Sequence, residues 1–192
     1  MSADKSEWVL DRILRQRAES MPDKPFLEVV GHRCDSYGET YEAALKLAAR
    51  LEQLGVGRGD TVVIMAPNSF EAVHGWIAAN MLGAIDVTIN TAYRGQLLEH
   101  ALNMAQARII LLDEAFLPVL RESESKLPAL ETAVHFRCHG NSYDDALPQF
   151  ERLALHPLWE APERPLSNAT GVADFRDTAS VIYTSGTTGP AK

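Results

Sequence analysis

Short apolar runs alternate with segments of helix length, and this alternation limits the possible folds more than any other feature. The runs TVVIMA, AIDVTI and RIILLD begin at residues 61, 84 and 108, and helix-length segments lie between them at 69–83 and 94–107. Apolar strands separated by helices are typical of parallel sheets, because each crossover needs a helix and both faces are then covered. We therefore expect a three-layer α/β fold, with a mostly parallel sheet flanked by helices.

The rest of the chain continues this alternation. Before residue 61 we predict a helix at 8–20, two strands joined by a turn at Gly31 and His32, and a helix at 39–54. After residue 113 we predict a helix near 114–126, a strand near 132–136, a short helix near 142–153 and a strand at 179–184.

Three prolines mark a change of character near residue 156. Pro157, Pro162 and Pro165 interrupt a stretch with few long apolar runs, and proline fits neither helix interiors nor central strands. The sequence therefore predicts an α/β subdomain over 1–155, a proline-rich connector without regular structure over 156–178, and a strand with the start of a loop over 179–192.

Charge and cysteine content exclude several function classes. The 192 residues carry 18 Lys and Arg against 26 Asp and Glu, and the net charge of −8 disfavours binding to nucleic acid. Two cysteines are too few for a disulfide framework and indicate a reducing compartment. The first twenty residues have no apolar leader, and no stretch approaches the roughly 18 apolar residues of a transmembrane segment, so we expect a cytoplasmic protein.

The segment YTSGTTGPAK, residues 183–192, is the strongest candidate for a binding site. It follows an apolar strand, and Gly186 and Gly189 permit the backbone turns that direct several N–H groups at one anion. Its other donors are hydroxyl groups and one cation, at Thr184, Ser185, Thr187, Thr188 and Lys192. A polyphosphate fits these donors. The spacing differs from that of a P-loop, whose lysine directly follows its second glycine, and the alternative is a flexible linker.

Two other segments have weaker claims to a ligand. The glycine-rich segment from Gly55 to Gly59 resembles a nucleotide-binding turn, but it follows a helix instead of preceding one. We interpret it as a helix stop. The helix from Trp8 to Arg17 is basic and partly apolar, but its charge is close to balanced, so we expect it to pack within the fold rather than on a membrane.

Two polar clusters also have weak claims to chemistry. His135, Cys138 and His139 are residue types that bind metals, but the sequence nearby supplies no fourth ligand, and we predict no metal site. Four carboxylates lie in predicted loops, and we interpret them as solvated groups rather than an acid/base pair: Asp144, Asp145, Asp174 and Asp177.

Residues 183–192 resemble the phosphate-binding signature of the adenylate-forming enzymes, which include acyl-CoA synthetases, aryl-CoA ligases, luciferases and peptide-synthetase adenylation domains. Other segments are similar to motifs of the same family: SYGE at 36–39, GDTVVI at 59–64, Asn68-Ser69, GAIDVTINTAY at 83–93 and DTASVI at 177–182. The resemblance spans residues 8–192. It favours the acyl-CoA synthetase branch, with Gln96 where a glutamate is usual.

The resemblance implies a two-step reaction. A carboxylate attacks the α-phosphorus of ATP with Mg²⁺ present, and coenzyme A then displaces AMP from the acyl-adenylate to give a thioester. The resemblance also implies that the phosphates of ATP are bound by Thr184, Ser185, Gly186, Thr187, Thr188, Gly189 and Lys192. It carries no catalytic residue and no metal ligand onto this chain.

By comparison with the family, the chain looks like the first part of the large N-terminal domain. We therefore expect the isolated chain to be inactive, and to self-associate through apolar surface that the rest of such a domain would cover. Expected partners are a small carboxylic acid, ATP and coenzyme A, without nucleic acid and without a transmembrane segment. Two other interpretations stay open: a truncated remnant that binds a partner without catalysis, and another adenylating enzyme such as an adenylation domain.

Overall fold

A computed structural model describes residues 5–139, 143, 146–160 and 173–183 of the chain. The chain folds as two compact units. The first takes in the described residues of 1–60, 73–85 and 161–179, and the second those of 61–72, 86–160 and 180–192. None of the helices within the described ranges combines the length and the apolar content that a membrane crossing requires.

The first unit contains a strand pair and three helices or parts of helices. Helix α1 (Leu10–Ser20) is followed by strands β1 (Pro25–Glu28) and β2 (Cys34–Ser36), by helix α2 (Tyr37–Gln53) and by most of helix α3 (Phe70–Met81). Strands β1 and β2 pair antiparallel, as predicted, and Gly31 turns between them with a φ of +82°. Helix α1 buries Leu14 and packs against α2, which agrees with the predicted packing within the fold.

Local sequence signals start and stop helix α2. The side chain of Ser36 accepts a hydrogen bond from the N–H of Glu39 at 3.2 Å, and the Glu39 carboxylate accepts one from the N–H of Ser36 at 2.8 Å. This capping box satisfies two N–H groups that the first turn leaves free. At the other end Gly55 has a φ of +87°, and Gly55 and Val56 donate N–H groups back to the last turn at 2.9 and 3.0 Å. The predicted helix stop is confirmed.

The second unit contains a sheet whose described part has six strands in the order β7-β6-β5-β3-β4-β8. Its strands are β3 (Thr61–Met65), β4 (Ile85–Thr88), β5 (Ile109–Asp113), β6 (Thr132–Phe136), β7 (Ala154–Pro157) and β8 (Ser180–Ile182), and its helices include α4 (Gln96–Ala105) and α5 (Leu117–Ser123). The pairs β3–β5, β5–β6, β6–β7 and β4–β8 are parallel. The predicted α/β fold with a mostly parallel sheet and flanking helices is confirmed.

Burial on both faces explains the continuous apolar sequence of the central strands. All five residues of β5 are buried, as are four of the five in β3 and in β6. Fully burying one Val, Leu or Ile side chain stabilises a fold by about 1.5–3 kcal/mol. The core of this unit includes Val63, Met65, Val87, Ile89, Leu98, Leu102, Ile110, Leu112, Leu117, Leu120 and Ala133.

Two helix predictions after residue 113 differ from the structure: the helix near 142–153 is wrong, and the helix near 114–126 is confirmed only over 117–123. No helix occurs in residues 143 and 146–153, the described part of the helix predicted near 142–153. Pro148 disfavours a helix there, and the N–H groups of residues 151–153 donate to the carboxylate of Glu124 instead of to a helical turn. The helix predicted near 114–126 is interrupted, because α5 lies between the 3-10 turns Glu114–Phe116 and Glu124–Lys126.

Strand β7 is absent from the sequence-based prediction, and it crosses the predicted boundary at residue 156. The sequence predicts a connector without regular structure over 156–178, yet His156 and Pro157 complete β7. This strand lies at one end of the described sheet, where a proline needs to supply no ladder hydrogen bond on its outer side. Residues 161–172 of the predicted connector lie outside the described residues.

Candidate functional site

Strand β8 leads directly into the predicted phosphate-binding segment. It pairs in parallel with β4, from Asp86–Ser180 to Thr88–Ile182. The predicted phosphate ligands themselves lie outside the described residues: Thr184, Ser185, Gly186, Thr187, Thr188, Gly189 and Lys192. The structure therefore describes only the residues next to the candidate site in the chain, which are β8 and Tyr183, and the residues that contact them.

A buried carboxylate contacts the first residue of β8. Asp86 is 3% exposed although it lies within the apolar run of β4, and its Oδ1 accepts a hydrogen bond from Ser180 Oγ. Burying a carboxylate is costly unless hydrogen-bond donors replace the water it loses. Asp86 and Ser180 are also partners in the strand register, so the side-chain contact and the backbone pairing favour the same alignment.

Tyr183, the first residue of the signature, is anchored to the core of the second unit. Its hydroxyl donates a hydrogen bond to the carbonyl oxygen of Ala101 at 3.1 Å, and its ring packs against the apolar core. Burial, with a smaller contribution from Tyr93, raises the pKa of Tyr183. The hydroxyl therefore keeps its proton at neutral pH and stays a donor. This contact fixes the position from which residues 184–192 continue.

The strand order brings other polar residues to the same edge of the sheet. Ser69 follows β3, Asn90 follows β4 and Asp113 ends β5. In open α/β sheets, ligands bind outside the carboxyl ends of the strands, at the point where the strand order reverses. Here β3 lies between β5 and β4, so the order reverses at the β3–β5 pair. This edge of the sheet is where that rule places a ligand.

Ser69 and Asn90 shape turns at this edge. Ser69 Oγ accepts a hydrogen bond from the N–H of Ala72 at 3.2 Å, at the start of α3. Asn90 Oδ1 accepts one from the N–H of Ala92 at 2.8 Å, which closes an Asx turn. The Ile-Asn-Thr-Ala-Tyr segment is therefore a structural turn that leads from β4 towards α4.

Asp113 holds together the ends of β5 and β6. It is buried, its Oδ1 accepts a hydrogen bond from the N–H of Ala115 at 2.9 Å, and its Oδ2 accepts one from the N–H of Cys138 at 3.3 Å. The Tyr143 hydroxyl lies 3.2 Å from Asp113 Oδ2 and 2.6 Å from the Cys138 carbonyl oxygen, and donates to one of them at a time. Burial, with the charge of Asp113 nearby, raises the pKa of Cys138 to about 12. The thiol is therefore neutral at neutral pH and a poor nucleophile.

Residues 14–192 match the family model described as AMP-binding enzyme, which is nearly the whole chain. The chain belongs to the AMP-binding enzyme family. The resemblance to adenylate-forming enzymes that the sequence motifs indicated is thereby confirmed.

Relatives of this chain include proteins named as ligases of coenzyme A. It is 32% identical to 4-coumarate–CoA ligase 3 of Arabidopsis thaliana, over 61% of this chain and 21% of that protein. It is 30% identical to medium/long-chain-fatty-acid–CoA ligase FadD6 of Mycobacterium tuberculosis, over 92% of this chain and 27% of that protein. A linear gramicidin synthase of Brevibacillus parabrevis is also 30% identical, over 97% of this chain and 3% of that protein. The chain thus spans 3% to 27% of the length of these three relatives.

Two solved structures have the same fold as this chain. The anthranilate CoA ligase AuaEII, solved in complex with anthranoyl-AMP, superposes with a TM-score of 0.80 at 26% identity, over 96% of this chain and 33% of that one. MbtA of Mycobacterium smegmatis, solved in its apo form, superposes with a TM-score of 0.75 at 23% identity, over 96% of this chain and 32% of that one.

Three residues of the HFRCH segment, His135, Arg137 and Cys138, contact carboxylates at the ends of β5 and β6. His135 Nδ1 lies 2.8 Å from Glu114 Oε1, and Arg137 Nε donates to Glu114 Oε2 at 2.6 Å. Cys138 is buried in the Asp113 cluster. Within the described ranges, no group of three His, Cys, Asp or Glu side chains is arranged to hold a metal ion.

The loop carboxylates before β8 are ion-paired within the first unit. Asp174 accepts hydrogen bonds from Arg176, which hold the pKa of Asp174 below its usual value, and Asp177 pairs with Arg58 at 2.7 Å. Asp177 also accepts a hydrogen bond from the N–H of Asp174 at 2.8 Å. The other two carboxylates considered from sequence, Asp144 and Asp145, lie outside the described residues.

Three charged residues near the sheet edge are absent from the sequence-based predictions. Asp86, Asp113 and Glu114 lie inside or directly after apolar strands, and each has a specific hydrogen-bond partner. A charged residue in such a position is itself a signal, because its burial is unfavourable without partners. The runs AIDVTI and RIILLDE carry this signal, but they do not indicate which distant residues the carboxylates contact.

Proposed function

We propose that this chain carries the phosphate-binding part of an ATP-dependent acyl-CoA synthetase, which activates a carboxylic acid as an acyl-adenylate and transfers the acyl group to coenzyme A. The observation that carries the proposal is the signature at 183–192, which follows strand β8 in a chain of the AMP-binding family. Further support comes from relatives that are named CoA ligases and from a similar structure that holds an acyl-AMP.

The proposed phosphate ligands are suited to a polyphosphate because every one of them donates. They are the hydroxyl groups, backbone N–H groups and ammonium of Thr184, Ser185, Gly186, Thr187, Thr188, Gly189 and Lys192. Donors of this kind stabilise the negative charge that develops on the departing pyrophosphate. The family resemblance carries no metal ligand onto this chain, so Mg²⁺ is proposed to be held by the phosphates of ATP and by water, as is usual for this ion.

A second candidate function is adenylation with an acceptor other than coenzyme A. The gramicidin synthase matches 97% of this chain, whereas 4-coumarate–CoA ligase 3 matches 61%. Both functions share the first half-reaction and the same phosphate-binding residues, and they differ in the acid and in the acceptor. The motif Ile-Asn-Thr-Ala-Tyr at 89–93 favours the acyl-CoA synthetase.

Product analysis separates these functions. The complete gene product is incubated with ATP, Mg²⁺ and a panel of short-chain, long-chain and aromatic acids and amino acids, with and without coenzyme A. The proposal predicts AMP and an acyl-CoA thioester for at least one acid, detected by mass spectrometry. An acid-dependent pyrophosphate release without any thioester favours the second function. No acid-dependent product from any acid would contradict both and favour a binding module without catalysis.

The cytoplasm is the proposed location. Both cysteines are thiols in the structure, Cys34 exposed and Cys138 buried, as is usual in a reducing compartment. A relative at 28% identity, the benzoate–CoA ligase of Arabidopsis thaliana, is named peroxisomal. A fluorescent fusion of the complete gene product is expected to distribute through the cytosol, and accumulation in peroxisomes would contradict the proposal.

Self-association of the 192-residue chain is also proposed. Strand β8 exposes Val181 and Ile182, the latter by 74%. Apolar side chains on an accessible strand favour contacts with other chains. Sedimentation velocity over a range of concentrations is expected to show species larger than a monomer, and a monomer at every concentration would contradict this expectation.

A further inference from the structure

The proposed function does not use Asp86, a buried carboxylate in the middle of the apolar run AIDVTI. Its neighbours in β4 are Ile85 and Val87, and Val87 belongs to the core of the second unit. An aspartate weakens a strand of this kind unless its carboxylate has polar partners, because burial removes the water that solvates its charge. The hydroxyl of Ser180 supplies such a contact by donating to Asp86 Oδ1.

Strand β8, which contains Ser180, gains little stability from apolar burial. It is three residues long and all three are exposed. The hydrophobic contribution to stability is proportional to the apolar area removed from water, and this area is small for β8. The position of β8 therefore depends mainly on backbone pairing with β4 and on side-chain contacts such as the one to Asp86. A hydrogen bond to a charged group is also stronger than one between neutral groups.

The register of β8 matters because of the residues that follow it. Thr184, the first of the proposed phosphate ligands, comes four residues after Ser180. A slip of one residue in the pairing with β4 would turn each side chain of β8 to the opposite face of the sheet. It would also displace the start of the phosphate-binding segment by roughly 3.3 Å, the rise of one strand residue.

We propose that Asp86 is a positioning residue: by binding Ser180 it fixes the register of β8 and thereby the placement of the phosphate-binding segment. In this role Asp86 acts through Ser180. The effect on β8 is independent of the enzymatic activity, whereas the effect on catalysis rests on the proposed function. Each part has its own test.

Hydrogen exchange tests the effect on β8 without any assay of activity. In the complete gene product, Ser180→Ala removes the donor at an exposed side chain and leaves no cavity, and Asp86→Ala removes the acceptor. Both are expected to raise amide exchange over residues 180–183 by about 10-fold, and to leave β5 and β6 unchanged. Asp86→Asn keeps an acceptor oxygen and is expected to restore most of the protection. Ser125→Ala, at another exposed serine of the second unit, is the matched control.

Two results would overturn the effect on β8. One is unchanged amide exchange over residues 180–183 in Ser180→Ala. The other is an equal increase across all strands of the sheet, which would mean a general loss of stability rather than a local change. If Asp86→Ala does not fold, Ser180→Ala and Asp86→Asn still decide the question.

Kinetics test the effect on the phosphate-binding segment. Acid-dependent exchange between ATP and pyrophosphate is measured with the concentrations of ATP and of the acid varied separately. Ser180→Ala and Asp86→Ala are expected to lower kcat/KM for ATP by about 10- to 100-fold and to leave KM for the acid within about 2-fold. Asp86→Asn is expected to recover most of this loss. Unchanged kinetics for ATP, or an equal effect on both substrates, would overturn the positioning role. No exchange in the wild type would instead contradict the proposed function, and hydrogen exchange would still decide the role of Asp86 at β8.

Discussion

His74 and Asp35 form a buried polar pair in the first unit, and their surroundings set their protonation. His74 is fully buried, with its Nε2 3.5 Å from Asp35 Oδ2, and the guanidinium of Arg33 lies 3.0 Å from the same carboxylate. Burial, with a smaller contribution from the charge of Arg33, lowers the pKa of His74 to about 4. Burial raises the pKa of Asp35. His74 is therefore neutral in the folded chain at neutral pH.

This pair predicts a loss of stability in mild acid. As the pH falls, the unfolded chain protonates His74 near its ordinary pKa of 6.5, whereas the folded chain does so near 4. Stability from neutral His74 is thus fully present above pH 6.5 and lost between 6.5 and 4. The free energy of unfolding should fall by on the order of 2 kcal/mol from pH 7.5 to pH 5, measured by urea denaturation. His74→Gln cannot titrate and should remove this part of the pH dependence. Equal slopes for both proteins would contradict the prediction.

Among single residues, Lys192 is the one whose substitution we expect to affect catalysis most directly. In the complete gene product, Lys192→Ala should slow acyl-adenylate formation by about 10²–10³, because one charged donor to the departing pyrophosphate is lost. Single-turnover quench experiments measure the rate of this step, and thermal unfolding shows whether the variant is as stable as the wild type. Lys24→Ala, at an exposed lysine of the first unit, is the control and should leave the rate unchanged. A normal rate in Lys192→Ala would remove this residue from the mechanism.

At the scale of elements, the sequence predicts those strands and helices whose signals are local. The strands β3, β5 and β6 are runs of apolar residues, and α2 has its own start and stop signals. The segment that leads into strand β7 is held by contacts between residues 27 to 29 positions apart, which periodicity does not detect. For the candidate site, too, local signals could be predicted and distant contacts could not. Its signature is a local motif, whereas the contact between Asp86 and Ser180 joins residues 94 positions apart.

The carboxylate of Glu124 holds the segment before β7 with three hydrogen bonds. It is 3% exposed, and it accepts hydrogen bonds from the N–H groups of Glu151, Arg152 and Leu153 at 3.1, 2.7 and 2.9 Å. Burial alone would raise the pKa of Glu124, but these three donors and the charge of Arg121 together hold it below its usual value.

We therefore predict that Glu124→Gln lowers the free energy of unfolding by about 1–3 kcal/mol, because an amide cannot accept all three hydrogen bonds. The stability that Glu124 contributes is present above its unfolded pKa of 4.5 and is lost as the pH falls through its lower folded pKa. Glu122→Gln, at an exposed position of the preceding helix α5, is the control in denaturation experiments at pH 7. Equal stability of the two variants would show that the Glu124 contacts contribute little.

At the scale of the whole molecule, the parallel sheet and the family could be predicted from sequence, and the acid could not. Alternating apolar strands and helices determine the fold class, and the motifs at 36–39, 59–64, 83–93 and 177–192 determine the family. Choice of an acid depends on the shape of a pocket built from residues that are distant in sequence. No local motif describes such a pocket.

We predict that the 192-residue chain by itself makes no acyl-CoA. The chain spans 21% to 27% of the length of the two CoA ligases named above, so most of each relative has no counterpart in it. Orienting an acid for attack on ATP can supply roughly 7–11 kcal/mol of a reaction barrier, and a phosphate-binding segment alone does not provide that orientation. The assay is AMP and thioester formation with the acid panel. Acid-dependent AMP release by the 192-residue chain would contradict the prediction.

The most direct test of the proposed function is the exchange of labelled pyrophosphate into ATP by the complete gene product. This exchange reports the reversible first half-reaction, in which the phosphate-binding segment is proposed to act, and it needs neither coenzyme A nor knowledge of the acceptor. We predict label in ATP only when Mg²⁺ and a suitable carboxylic acid are both present. Exchange that is independent of the acid, or no exchange with any acid by a folded protein, would contradict the proposed function.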